Sequence, residues 1–415
     1  MTLAGARRCA PLLTFLLGVA SSLGPRLAAA DGWDPSFSWG GFGTLGATYH
    51  SDPNLVFRRD ITQPRGTNAD EITFDTDSVF GLQGQVSFGP TLRVLAQVVS
   101  KLSPEGDWRP QASRAFLAYT PDQALEFRAG RIGFDAYPLA ESPNVGYSYL
   151  PIRPAPEFFG LFNAEEFDGG DFRARRYWAG GVVTLRGFAG HTAGDNAPTL
   201  DTRVPVGTDN LGGQLDWARG PLLLRFALAR VRVDHLADLS HIIGALRATG
   251  YPQAEAIADR FSSQSNVSHG VQFGIAYDGR PFQAQLLYTH IHTSMGVGPR
   301  VDDGLLTLGY RIGRFTPYFL CAVVRPYDDL PPTGLPEPPF DSLNDAVETL
   351  QASGQANQKS FSWGVRYDLS SHFDLKAQID SISVHQSPLV FDHGIPTSLQ
   401  PAHVTVFGVA LDFVF

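Results

Sequence analysis

The chain has 415 residues, a net charge of −9 and only 18% charged residues, alongside 12% aromatics, 43 Gly and 30 Pro. An acidic balance of this kind argues against nucleic acid as a partner, because a phosphate backbone selects basic surfaces. Length alone would suggest two or three domains, but a β-barrel of this size forms one.

The N-terminus carries Arg7 and Arg8, an apolar run from Ala10 to Ala20, and then Ala28-Ala29-Ala30. Charged, apolar and small residues in that order are the pattern of a cleaved export signal, so residues 1–30 are expected to be removed and the mature chain to start at Asp31. The apolar run is too short to span a bilayer as a helix. Removing Arg7, Arg8 and Arg26 from 32 Lys+Arg leaves 29 against 41 Asp+Glu, a mature balance of −12. Cys9 leaves with the signal and Cys321 stays alone, so neither an internal disulfide nor a cysteine-based metal site is expected. No later run of about 18 apolar residues occurs, so no transmembrane helix is expected.

From Phe37 onward the chain reads as strands. Phe361, Trp363, Val365, Tyr367 and Leu369 alternate with Ser362, Gly364, Arg366 and Asp368, and Phe373, Leu375, Ala377 and Ile379 alternate with Asp374, Lys376, Gln378 and Asp380. This is the two-residue period of a strand with one apolar and one polar face. A soluble sandwich would alternate as well, so the connections decide. Tight turns are read at 88–90, 120–123, 173–177, 219–221, 278–281, 313–314 and 370–371. Between them lie loops near 50–72, 102–111, 132–166, 190–208, 234–267, 292–301, 326–358 and 387–401. Seven turns and eight loops separate about sixteen strands. The expected fold is all-β: a transmembrane antiparallel up-and-down β-barrel over residues 31–415, with short periplasmic turns and long external loops. Aromatic residues (Phe88, Tyr119, Trp178, Trp217, Tyr277, Phe282, Phe315, Tyr318, Tyr367, Phe373 and Phe413) gather beside the tight turns, as rings do at a membrane interface.

Sixteen strands enclose an aqueous channel, so the inward series carries function. Parity assigns Arg93, Gln97, Lys101, Arg114, Glu126, Arg128, Asp216, Arg225, Arg366, Asp374, Lys376 and Asp380 to the lumen. The loop 132–166 is rich in Pro and aromatics. If it enters the lumen as a constriction, its acids Glu141, Glu157, Glu165 and Glu166 are expected to face wall cations such as Arg93, Arg114, Arg128 and Arg366, setting a transverse field.

Helical periodicity appears at 240–249, at 254–261 and at 342–351, inside two external loops, where the apolar faces need a partner. His290 and His292 sit two apart on one strand face, a spacing that suits interfacial histidines better than a metal site. No nucleophile triad, phosphate-binding loop or H-E-x-x-H is found, so no enzyme activity, cofactor or metal is expected.

The final segment places Phe407, Val409, Leu411, Phe413 and Phe415 on one face and ends on an aromatic residue. It resembles the β-signal of Gram-negative outer-membrane proteins, which implies recognition by the barrel-assembly machinery. The turn and loop plan, with a long loop after the fifth strand, resembles that of the general porins of Gram-negative outer membranes. Phe57-Arg58-Arg59-Asp60-Ile61-Thr62-Gln63-Pro64-Arg65-Gly66 looks like a porin-like group of proteobacteria. The resemblance implies a bacterial outer-membrane location among lipid and lipopolysaccharide, a homotrimer, a third external loop folded inward, and passive diffusion of small hydrophilic solutes and ions. A substrate-specific channel, or a barrel with a structural or enzymatic role, is the alternative.

Overall fold

The computed structural model describes residues 35–135, 143–160, 165–196, 204–233, 239–262, 267–294, 298–328, 331–353, 355–392, 395–397 and 401–415. The export segment and Glu141 lie outside them. Sixteen strands form the wall. They are β1 (Pro35–His50), β2 (Val79–Phe88), β3 (Leu92–Lys101), β4 (Gln111–Tyr119), β5 (Leu125–Gly133), β6 (Glu166–Trp178), β7 (Gly181–Asn196) and β8 (Val204–Arg219). The second half comprises β9 (Leu222–Val233), β10 (Val267–Asp278), β11 (Phe282–Thr293), β12 (Val301–Tyr310), β13 (Phe315–Pro326), β14 (Asn357–Asp368), β15 (Phe373–Asp392) and β16 (Ala402–Val414).

Each strand pairs antiparallel with its chain neighbour, and β1 pairs with β16 from Phe42↔Val414 to His50↔Val406, closing the sheet. The first half of β1 instead pairs with β2, from Pro35↔Phe88 to Thr44↔Val79. One strand thus hands over from one neighbour to the other along its length, as the tilt and stagger of a closed barrel require. The seam continues to the final residue, where Phe415 and Gly41 exchange two backbone hydrogen bonds of 3.0 Å.

Alternation sorts the two faces. Trp363, on the outward parity of β14, is 52% exposed, whereas its neighbour Ser362 is 3% exposed. A polar interior and an apolar exterior invert the soluble pattern and match a wall surrounded by hydrocarbon.

Four sequence readings are corrected. The turn expected at 173–177 lies at Ala179-Gly180, both with positive φ (52° and 74°). Strands β6 and β7 therefore run longer, and Arg173 and Arg186 pair in register inside the sheet. The loop expected at 190–208 shrinks accordingly, because β7 continues to Asn196 and β8 begins at Val204. The loop expected at 387–401 starts later, since β15 rises to Asp392 and pairs there with a short strand at Leu55–Phe57. Tyr318, placed among the interfacial rings, points inward, is 5% exposed, and donates to Gln378 Oε1 at 2.8 Å.

The helical segments form as α2 (Ser240–Ala248), α3 (Pro252–Phe261) and α4 (Asp341–Ser353), following a short α1 (Pro156–Phe159) in the long loop. Leu246, Ala254, Ile257, Phe261, Leu335 and Val347 are buried together, so the two external loops cover each other's apolar faces.

Candidate functional site

The interior is built from the wall inward. On β3 to β9, carboxylates and guanidiniums on the inward parity face across neighbouring strands. Arg128 and Arg186 both grip Asp171, with Nε to carboxylate distances of 2.8 and 2.7 Å. Asp135, just past β5, receives Arg186 at 3.0 Å, Arg225 at 3.2 Å and Arg173 at 3.7 Å. Arg225 also holds Asp216 at 2.8 Å, and Arg93 holds Glu126 at 3.0 Å. Five arginines thus meet four carboxylates on this wall. Charges at this density are tolerable in a membrane protein only where they pair and meet water. Arg114 is in register with Gln97 on β3.

The opposite wall carries the long loop. Its described part, 143–160, descends inside the barrel until Tyr147 Oη donates to the carbonyl of Ser371, in the tight turn between β14 and β15, at 3.0 Å. Arg366 binds it with Nη1, donating to the carbonyls of Tyr147 (2.8 Å) and Tyr149 (3.2 Å), while its Nη2 pairs with Asp374 at 3.0 Å. Lys376 donates to the carbonyls of Gly146 (2.8 Å) and Pro151 (3.1 Å) and pairs with Asp412 at 2.9 Å. The backbone of Gly146 sits so close to the wall that an added Cβ would collide with Asp412 Oδ1 and Thr44 Oγ1. No larger residue fits this descent without displacing the loop.

Higher up, Ile152 N donates to Gln378 Oε1 at 3.0 Å. Arg153 joins Asp77 of the first long loop to Asp380 of β15, the latter at 3.0 Å. Phe158 is fully buried among Leu287, Leu305, Leu320 and Ala322, an apolar patch on the inward faces of β11, β12 and β13. Glu157 beside it accepts from Gln358 Nε2 at 2.7 Å. Burial pushes its carboxyl above the ordinary range, and the Gln358 hydrogen bond opposes that only in part. The loop leaves this wall at Gly160, whose carbonyl accepts from Ile61 N at 3.0 Å.

The expected facing of loop acids and wall arginines holds at Arg114, which lines a small recess with Glu165 and Glu166, while the other members take other partners. Arg93 and Arg128 pair with wall acids, Arg366 with Asp368, Asp374 and loop carbonyls, and Glu157 with an amide. Glu165 pairs with Lys101 and accepts from Asn144 Nδ2 at 2.9 Å. Sequence reasoning missed Arg153, although it is the sole Lys or Arg in 132–166. It also missed Arg173 and Arg186, because the misplaced turn broke the parity of their strands.

Between the loop and the arginine-bearing wall, at the long-loop end, lies a cavity of about 620 Å³ bordered by Arg59, Asp60, Lys101, Tyr149, Glu165, Glu166 and His191 among others. Glu166, at the start of β6, contributes a second carboxylate beside Glu165. Among the described residues no group of His, Cys, Asp and Glu has the arrangement of a metal site.

No family profile matches the chain, and no curated protein does. Solved structures do. The OmpF structure of Salmonella typhi in complex with daunomycin aligns with a TM-score of 0.55 at 12% identity, over 94% of this chain and 99% of that one. An anion-selective porin from Comamonas acidovorans gives 0.53 at 12% identity, over 92% and 100%. The outer membrane channel DcaP of Acinetobacter baumannii gives 0.51 at 10% identity, over 92% and 97%. At these identities the likeness is one of fold: the closed sixteen-stranded antiparallel barrel of this chain is the barrel that these porins and channels have.

Proposed function

We propose that this porin-like barrel is an outer-membrane channel through which small hydrophilic solutes and ions diffuse passively. The observation that carries the reading is the closed sixteen-stranded wall with polar groups inside and apolar side chains outside. A wall of this strand number is wider than its own side chains fill. The descending loop then narrows the bore from one side and leaves passage along the arginine-bearing side, where Arg93, Arg173 and Glu126 stay partly accessible. On that side the five arginines of β3 to β9 stand with their own carboxylates, and Asp60, Lys101, Glu165 and Glu166 border the cavity at its long-loop end, fixed charges of both signs of the kind by which pores sort ions.

The test is reconstitution of the full chain into liposomes and planar bilayers. Uptake that falls smoothly with the size of a sugar series, together with unitary conductance steps, is the expected outcome. Saturable uptake of a single solute would replace general diffusion with a substrate-specific channel, and impermeable liposomes would overturn a channel altogether. Arg93→Ala and Glu165→Gln are expected to shift the reversal potential in opposite directions in a salt gradient.

A further inference from the structure

The cavity at the long-loop end carries charges of both signs, but its cations are neutralised and two of its acids are not. Arg59 and Lys101 are the Arg and Lys side chains that border it. Arg59 pairs with Asp60 at 3.4 Å, and Lys101 pairs with Glu165. His191 Nδ1 lies 3.0 Å from Asp209 Oδ1 and is engaged there. Glu166 and Asp195 border the same cavity, are half-buried, and among the described residues have no hydrogen-bond or ion-pair partner. The uncompensated charge that a solute meets here is therefore negative.

Aromatic rings supply a second part of the lining. Phe134, just past β5, packs edge-to-face against Phe188 (centroids 5.1 Å apart, planes at 74°) and against Phe167 (6.2 Å, 89°). Its backbone N donates to the Glu165 carbonyl at 2.9 Å, which fixes the residue beside the adjacent acids. Phe159, close to where the descending loop leaves its wall, adds a second half-buried ring, packed on Phe158 with centroids 5.0 Å apart. Rings already held by other rings lose little freedom when a ligand meets them. The volume of about 620 Å³ lies within the roughly 300–1,000 Å³ of small-molecule sites. An aqueous passage alone needs no such lining. Rings beside uncompensated carboxylates suit a cation carried on an apolar body, because ion pairing and the attraction of a cation to a ring face act together.

We propose that this cavity is a binding site for organic cations, an ammonium or guanidinium on an aromatic or apolar body, with Glu166 and Asp195 meeting the charge and Phe134 and Phe159 meeting the body. The site selects among the solutes that reach the barrel mouth. It deepens the channel reading and rests on it for its role, while its chemistry depends only on the lining.

The full chain, folded in detergent, is titrated calorimetrically with phenethylammonium, with ethylammonium, which lacks the ring, and with phenylpropionate, which keeps the ring and reverses the charge. Phenethylammonium is expected to bind at least tenfold more tightly than either. Glu166→Gln/Asp195→Asn is expected to remove the preference over phenylpropionate, and Phe134→Leu the preference over ethylammonium. Glu348→Gln, at an exposed acid of α4 outside the lining, is expected to leave both intact. Strand content by circular dichroism checks that each variant is folded. Equal binding of phenethylammonium and phenylpropionate, or an unchanged preference in the double variant, overturns the site. Ethylammonium binding as tightly as phenethylammonium removes the rings from it and overturns the proposed ligand class. Preference for phenethylammonium in a protein that conducts nothing would sink the channel reading and leave the site standing, whereas conductance without any preference would sink the site and leave the channel.

Discussion

Glu157 illustrates how burial sets the chemistry of a single residue here. Its carboxyl is raised because the surroundings disfavour charge, so the folded state favours the neutral form. Stability from this group is fully present below the ordinary carboxylate range and is lost as pH rises through the raised value. Glu157→Gln keeps an acceptor for Gln358 without the titration. Its unfolding midpoint in detergent is expected to exceed that of the wild type at alkaline pH and to converge with it in acid; parallel pH profiles would refute this account. Gly146 sets a steric limit in the same way. Gly146→Leu is expected to push the loop from the Thr44 and Asp412 wall into the bore and lower single-channel conductance, with strand content unchanged. Neither effect is visible in sequence, because a glycine or glutamate in a Pro-rich loop gives no sign of which wall it will meet.

Among the elements, the descending loop and the β6–β7 hairpin carry most of the departures from the sequence reading. One anchor of the loop is a buried lysine, since Lys376 and its partner Asp412 are both fully enclosed. Lys376→Met leaves Asp412 and Asp374 without that cation, a loss expected to cost about 3–5 kcal/mol. Denaturant unfolding measures it, and the released carbonyls of Gly146 and Pro151 should make channel current noisier. At the hairpin, Ala179 occupies a left-handed conformation that costs an L-residue about 1 kcal/mol. Ala179→Gly is therefore expected to stabilise the barrel by about that amount in equilibrium urea unfolding. The turn was hard to read because Arg175 and Arg176 interrupt the apolar alternation of β6 and imitate a polar loop. The helices were legible, since Leu246, Ile257, Phe261 and Val347 keep helical spacing, and their mutual packing gives those faces the partner they need.

At the scale of the whole molecule, strand period and the alternation of short and long connections suffice for a closed antiparallel barrel of about sixteen strands. Both are local properties, repeated many times, so a misplaced turn shifts one hairpin without changing the count. The pairing of charges is different in kind. Arg153 meets Asp380, Glu157 meets Gln358, and Lys376 meets the carbonyl of Gly146, contacts that span more than 200 residues of chain. Sequence by itself determined the wall, the inward and outward faces of most strands, and the terminal strand that ends at Phe415, while its closure against Gly41 came from the structure. Only the tertiary structure decided which wall the loop lies against, and therefore which acids face which cations. Parity tells a side chain which face it occupies, whereas its partner depends on strand register and on the path of a loop that no periodicity constrains.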